Sequence, residues 1–143
     1  MLAKPVWEGI LIHHSFSKDH GTLDWDNVKV WHVRDNNWRD IAYHNGIEVV
    51  EDTIQILRGR SLLERGAHGG SVLNKTHIGI CVIGNFDLVA PGPEIYAELA
   101  DLCTEYQAIF RIPKEKIEPH SKYSEKTCPG KLFDMNELYK RLK

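Results

Sequence analysis

Short apolar runs recur along the chain and predict the strands of a β-sheet. The run GILIHH at 9–14 is apolar up to its two histidines, which is typical of a buried strand. The run IGICVIGNF at 78–86 is apolar on both faces, so we expect it in the centre of a sheet covered on both sides. The segment IPKEKIEP at 112–119 predicts a loop and then a short strand that leads to His120.

Two segments in the middle of the chain predict a β-hairpin. They are AYHNGIEVV at 42–50 and TIQILRG at 53–59, and they flank Glu51 and Asp52. Two strand-like runs separated by two polar residues are typical of a tight turn between antiparallel strands. The stretch that follows, 59–76, is rich in glycine and is expected to be a loop.

Apolar residues at helical spacing predict three helices. The first covers about residues 24–34, with Thr22 or Asp24 as its N-cap. The second covers about residues 94–110 and carries an apolar stripe that would pack on the sheet. The third covers about residues 132–142. Helices mixed with strands predict an α/β fold in which a central, mixed β-sheet is flanked by helices.

The composition is that of a globular protein with little net charge. Of the 143 residues, 42% are hydrophobic and 27% are charged, which suits a single domain over residues 1–143. The formal net charge of −2 argues against a nucleic-acid partner. No apolar run approaches the roughly 18 residues of a membrane span, so we expect no membrane partner. The N-terminal residues lack the apolar core of a secretion signal, so we expect a cytoplasmic protein, or one whose leader lies outside this sequence.

The three cysteines have different surroundings. An odd number cannot complete a disulfide framework. Cys81 lies in an apolar run and Cys103 on an apolar helix stripe, so we expect both in the core, with a bridge between them as the alternative. Cys128 lies instead in the polar stretch EPHSKYSEKTCPG, directly before Pro129, and these surroundings favour a chemical role.

Histidines near both ends of the chain suggest a metal site that includes Cys128. His13 and His14 end the first predicted strand, where side chains can project into a cleft, and His120 precedes Cys128 by eight positions. Two imidazoles and a thiolate are a typical zinc set, and three protein ligands leave a position for water, as catalytic zinc requires. Strand geometry does not choose between His13 and His14, because they face opposite sides.

Two other chemistries use the same residues. Cys128 activated by His120 would be a cysteine nucleophile, which is the main alternative. A structural zinc site is disfavoured, because the chain has no C-x-x-C or H-x-x-x-H pair.

Five segments occur in the order found in a known family. They are ILIHHS at 10–15, VWHVRDNNWRDIAYH at 30–44, GAH at 66–68, IGICVIGNF at 78–86 and HSKYSEKTCPG at 120–130. Through these segments the chain resembles the zinc-dependent N-acetylmuramoyl-L-alanine amidases, which include the amidase-type phage lysozymes and the peptidoglycan recognition proteins. The resemblance implies hydrolysis of the amide bond between the lactyl group of N-acetylmuramic acid and L-alanine in peptidoglycan.

The resemblance also implies roles for individual residues. It selects His13 over His14 as the first metal ligand, with His120 and Cys128 as the others, for one Zn²⁺ per chain. Tyr43 matches a tyrosine that active amidases place beside the metal, and Lys126 matches a lysine two residues before the cysteine ligand, so both are candidate catalytic residues. Relatives that only bind the wall commonly lack the cysteine ligand. Cys128 therefore favours catalysis over the alternative, a non-catalytic peptidoglycan-recognition module.

The remaining expectations concern the substrate and its setting. The resemblance implies that His44, His68 and Asn74 line the substrate groove. The expected partner is bacterial cell-wall peptidoglycan or a muropeptide, and we expect the chain to act as a monomer. A wall-cutting enzyme without a leader suits a phage or prophage lysin that stays in the cytoplasm until release, and a bacterial housekeeping role is equally compatible.

Overall fold

The computed structural model describes residues 4–21 and 23–142, which contain five strands and four α-helices joined by turns and loops. A π-helical turn at Trp31–Asp35 extends the first helix, and 3₁₀ turns lie at Lys114–Lys116 and His120–Tyr123. In chain order the elements are β1 (Gly9–His14), α1 (Asp24–Val30), β2 (Asn45–Val50), β3 (Thr53–Arg58), α2 (Gly70–Thr76), β4 (His77–Val82), α3 (Pro93–Phe110), β5 (Ile117–Pro119) and α4 (Met135–Tyr139).

The strands form one sheet in the order β3-β2-β4-β1-β5. β1 is parallel to both of its neighbours, β2 is parallel to β4, and only the β2–β3 hairpin is antiparallel. This mixed sheet, flanked by helices, confirms the predicted α/β fold. All six residues of β4 are buried in the central position, as expected for a strand that is apolar on both faces.

The main hydrophobic core lies between the sheet and α3. The helix buries Ile95, Leu99, Cys103 and Tyr106, which recur at helical spacing. Cys103 belongs to this core, whereas Cys81 belongs to a second cluster around Trp25. Both cysteines are free and buried, as predicted, so the alternative bridge between them does not form. Among the described helices, none is both long and apolar enough to cross a membrane.

The N-terminus of α1 is capped by a residue distant in sequence. Thr22, one of the two predicted caps, lies outside the described residues, and Asp24, the other, is the first residue of the helix itself. The Glu48 carboxylate from β2 accepts hydrogen bonds from the backbone N–H groups of Asp24 and Trp25. This carboxylate satisfies two of the free N–H groups of the first turn, and the prediction of Asp24 as the N-cap was wrong.

Two other expectations need correction. The predicted loop at 59–76 contains the helix α2, which buries none of its residues and therefore lacks the apolar stripe that would have revealed it. The last helix, α4, is shorter than the predicted 132–142. The predicted hairpin is confirmed, and Glu51 and Asp52 at its tip both adopt positive φ, at 49° and 65°, as a tight two-residue turn requires.

Replacing the capping carboxylate should destabilise the protein. Glu48 is only 1% exposed, and in Glu48→Gln an amide N–H₂ would replace one of the two accepting oxygens and face a backbone N–H. We expect a loss of about 1–2 kcal/mol in the free energy of unfolding, measured by urea denaturation. The exposed Glu105→Gln is the control and should change stability by less than about 0.5 kcal/mol. Equal denaturation midpoints for the two variants would show that Glu48 does not cap α1.

Candidate metal centre

Two imidazoles meet where two parallel strands end. In the register of β1 and β5, Ile12 lies opposite Pro119, so the next residues along the chain are His13 and His120. The carboxyl ends of parallel strands lie at the same edge of a sheet, and the two imidazole rings are accordingly close, with centroids 4.6 Å apart. Because of this register, His13 and His120 are in direct contact although more than a hundred residues separate them in the sequence.

Cys128 reaches the same edge on a loop that is bound to the rest of the fold. The Asp87 carboxylate accepts hydrogen bonds from the Thr127 hydroxyl at 2.7 Å and from the Lys131 backbone N–H at 2.8 Å. Gly130 has φ of +125°, and a Cβ there would lie 2.5 Å from the backbone of Phe86, so only glycine allows this approach. These contacts on both sides of Cys128 hold its side chain beside the histidines.

The three donor groups lie close to the spacing that a zinc ion requires. His13 Nδ1 lies 3.7 Å from Cys128 Sγ, and ligand atoms of His13, His120 and Cys128 all lie within 4.8 Å of one another. A tetrahedral zinc site with bonds of about 2.0–2.3 Å separates its ligand atoms by about 3.3–3.7 Å. A small adjustment of the side chains would therefore bring all three atoms to zinc-binding distance.

The protonation of these groups suits a metal better than a nucleophile. Burial, followed by the neighbouring His68 and His120, lowers the pKa of His13, and burial with the charge of Lys126 lowers that of His120. Burial raises the pKa of the Cys128 thiol to about 11. Neutral imidazole is the form that binds metals, and a thiol gives up its proton when a cation binds. A cysteine nucleophile requires a lowered pKa, so the alternative of Cys128 activated by His120 has no support in this environment.

A pocket of about 630 Å³ opens over the three donor groups, and both candidate catalytic residues line it. The Tyr43 ring lies 5.1 Å from that of His13, and its hydroxyl interacts with the Cys81 thiol. Burial, followed by the nearby cysteines, raises the pKa of Tyr43, so the phenol keeps its proton and can donate it in a hydrogen bond. Lys126 is exposed at the rim, on the loop that carries Cys128.

The three predicted substrate residues lie in different places. His68 borders the pocket, whereas His44 and Asn74 are not among its lining residues. His44 Nδ1 accepts from the Gly79 N–H at 3.0 Å, and its Nε2 donates to the Glu64 carbonyl at 2.9 Å. The Asn74 side-chain oxygen accepts from the N–H groups of His68 and Gly69. His44 therefore uses both ring nitrogens, and Asn74 its side-chain oxygen, within the fold, and their contact with a substrate stays a prediction.

Sequence reasoning overlooked several residues of the pocket. Asp87, Phe16 and His32 also line it. Asp87 comes shortly after the central strand β4, and its position near the carboxyl end of a parallel strand was a signal that could have identified it. Phe16 lies in a segment without a regular pattern of apolar residues. His32 is buried in the first predicted helix, where no local pattern shows that its ring faces the pocket.

Comparison with known proteins places the chain among the amidases. A family model described as N-acetylmuramoyl-L-alanine amidase matches residues 3–131. The cattle (Bos taurus) protein named peptidoglycan recognition protein 1 is 30% identical over 115 residues, which are 80% of this chain and 56% of the relative. The chain thus spans little more than half the length of the curated relatives that it matches.

Solved structures share the fold. The N-acetylmuramoyl-L-alanine amidase LysC from Clostridium intestinale superposes with a TM-score of 0.80 at 22% identity, covering 100% of this chain and 94% of its own. A substituted form of Drosophila PGRP-LB, in complex with tracheal cytotoxin, superposes with a TM-score of 0.78 at 22% identity, covering 93% of this chain and 80% of its own. At this level of identity the likeness establishes the fold alone.

The raised pKa of Cys128 predicts how its reactivity depends on pH. In zinc-free protein, the rate of Cys128 alkylation by iodoacetamide should rise about tenfold per pH unit between pH 7 and 10, because only the thiolate reacts. Mass spectrometry after timed quenching measures the rate. Cys128→Ser is the control and should remain unmodified, since Cys81 and Cys103 are buried. A fast rate that does not change with pH near neutrality would indicate a preformed thiolate and favour the nucleophile.

Proposed function

Because the chain belongs to the N-acetylmuramoyl-L-alanine amidase family, we propose that it is a zinc-dependent hydrolase of peptidoglycan. The bond cleaved is the amide between the lactyl group of N-acetylmuramic acid and L-alanine. The observation that carries this proposal is the convergence of His13, His120 and Cys128 beneath a pocket that also contains Tyr43 and Lys126. One Zn²⁺ per chain would be held by the three converging side chains.

The donor set accounts for how the chain would hold the ion. His13 and His120 would bind as neutral imidazoles, which their lowered pKa values favour. Cys128 would bind as a thiolate, and the His14 backbone N–H, which donates to its sulfur at 3.4 Å, would help to stabilise the negative charge. When bound, zinc supplies Lewis-acid polarisation of a carbonyl group and makes water acidic enough to act as a nucleophile near neutral pH.

Tyr43 and Lys126 supply what a metal alone lacks. Amide hydrolysis develops negative charge on the carbonyl oxygen, and a positive charge fixed nearby stabilises that transition state. Lys126 carries such a charge at the pocket, close enough to lower the pKa of His120. Tyr43 retains its hydroxyl proton and its ring lies beside His13; turned from the Cys81 thiol toward the pocket, the hydroxyl would orient the attacking water or the oxyanion and assist proton transfer.

The second candidate function is recognition of peptidoglycan without cleavage. The similarity to peptidoglycan recognition protein 1 favours it, and the same pocket would then hold a muropeptide as ligand. Cys128 distinguishes the two functions, because a binding module has no need for a thiol between two imidazoles. For this reason we propose catalysis first.

The biological setting follows from the proposed reaction. An enzyme that cuts the wall acts outside the cytoplasm, so a protein made in the cytoplasm requires release before it meets its substrate. A phage or prophage lysin and a bacterial wall enzyme both fit this requirement, and we propose a monomer acting on wall peptidoglycan in either case.

Metal dependence tests the catalytic proposal. We expect the purified protein to release new amino groups from cell walls, to lose this activity with a chelator, and to regain it with Zn²⁺.

Lys126→Ala should lower kcat by about 10²–10³, because it removes one charge that stabilises the oxyanion. Lys116→Ala, which alters an exposed lysine outside the pocket, is the matched control and should remain active.

Two outcomes would oppose this function. Cleavage that resists the chelator would exclude a role for the metal. Binding of muropeptide by wild type and Cys128→Ser with equal affinity, and no turnover by either, would favour the recognition module.

Zinc should also stabilise the fold. A ligand that binds only the native state adds about 4 kcal/mol at a free concentration of 1,000 times its Kd. We therefore expect added Zn²⁺ to raise the melting temperature of wild type and not that of Cys128→Ala, as measured by calorimetry. Cys103→Ala is a control for loss of a thiol elsewhere and should melt lower in both conditions while retaining the zinc-dependent increase. The same melting temperature for wild type with and without zinc would contradict the expected stabilisation of the fold by zinc.

A further inference from the structure

The imidazole of His68 lies directly behind that of His13, on the side away from Cys128. His13 Nε2 lies 2.8 Å from His68 Nδ1, and His68 Nε2 lies 3.0 Å from the backbone carbonyl oxygen of His77. His68 is 8% exposed, so water has little access to its ring. Both of its ring nitrogens are therefore engaged within the protein.

The carbonyl at the end of this chain of contacts determines where each proton lies. The His77 oxygen can only accept, so His68 Nε2 carries a proton and donates it. In a neutral ring Nδ1 of His68 is then an acceptor, so His13 Nε2 carries a proton and donates it to His68. The lone pair of neutral His13 is consequently on Nδ1, the nitrogen that lies 3.7 Å from Cys128 Sγ.

The fold contains a slot for the His68 ring. A Cβ on Gly66 would lie 2.3 Å from the ring, and a Cβ on Gly79 would lie 2.7 Å from it, so both positions are open only because they are glycine. The backbone N–H of His68 donates to the Asn74 side chain at 2.7 Å, which holds the loop that carries the ring. The backbone and the ring of His68 are thus both held in place, and a side chain held in this way can orient its neighbour His13.

We propose that His68 is a positioning residue that fixes the tautomer and orientation of His13 as a metal ligand. The inference rests on the proposed zinc function, in which His13 binds through Nδ1. With His68 absent, His13 could carry its proton on Nδ1, so that an N–H would face the cation. This proton would have to leave Nδ1 before the metal could bind. Partners of this kind typically contribute 10–100-fold to metal affinity.

This role differs from the substrate contact that the resemblance implies for His68. A substrate group could bond to the ring only by displacing His13 or the His77 carbonyl, because each occupies one of the two nitrogens. A positioning residue affects the metal in the absence of any substrate. A substrate-binding residue affects KM and leaves metal affinity unchanged.

Zinc affinity in the absence of substrate separates the two roles. Affinity would be measured by competition with a chromophoric chelator for wild type, His68→Leu and His68→Asn. Leucine offers no acceptor, and we expect a loss of about 10–100-fold. The asparagine oxygen can take the place of Nδ1 as acceptor, and we expect it to restore most of the affinity. His20→Leu, at a histidine that does not line the pocket, is the matched control and should bind zinc like wild type.

A spectroscopic measurement keeps the inference testable if the variants fold poorly. In ¹⁵N-labelled, zinc-free wild type, the long-range ring correlations of neutral His13 should show the proton on Nε2 and the lone pair on Nδ1. The opposite tautomer in wild type would overturn the proposal, as would His68→Leu protein that folds and binds zinc as tightly as wild type. If wild type shows the expected tautomer and binds no zinc, the proposed metal function fails while the hydrogen-bonded arrangement of His13 and His68 stands.

Discussion

The parallel pairing of β1 with β5 is the constraint on which the site depends. With Ile12 opposite Pro119, the residues that follow are His13 and His120, and their rings lie side by side. Side chains alternate between the faces of a strand, so a shift of β1 by one residue would turn His13 to the opposite face. Ile10, Leu11 and Ile12 are fully buried on the two faces of β1, and a shift by one residue would disrupt their packing on both sides. The hydrophobic core thus determines the geometry of a polar site that contributes little to it.

Hydrogen bonds through His77 link the partner of His13 to the turn that begins with His120. The His77 carbonyl accepts from His68, which orients the first histidine, and the His77 ring is paired with Glu118 at 3.0 Å. Glu118 in turn bonds the Tyr123 hydroxyl at 2.9 Å, at the end of the turn that begins with His120. A buried polar group lowers the stability of the fold unless it forms a hydrogen bond, and here each group bonds to its neighbour. Polar atoms in this part of the molecule therefore serve both stability and ligand geometry.

One side chain separates the two functions considered for this fold. Both proposed functions use the pocket over the ends of β1 and β5, whether or not chemistry follows binding. Cys128 adds a third donor within 4.8 Å of the two imidazole donors, and a zinc ion held by three protein ligands would keep a fourth position for water. Its loop is held by Asp87 and by the close approach of Gly130 to Phe86, so the thiol is placed by the fold and not by a flexible segment. Such preorganisation is typical of a site that must hold a reactive geometry.

The sequence by itself determined most of the elements and the chemistry available to them. Apolar periodicity acts over a few residues, and it was sufficient for the strands, the hairpin, the long helix and the burial of two cysteines. Motif order identified the family, and with it the donors that meet in the pocket. Only the tertiary structure decided that Glu48 caps a distant helix, that His44 and Asn74 bond within the fold, and that Asp87 holds the Cys128 loop. These contacts join residues far apart in the chain, and their partners depend on strand register and packing, which no local pattern encodes.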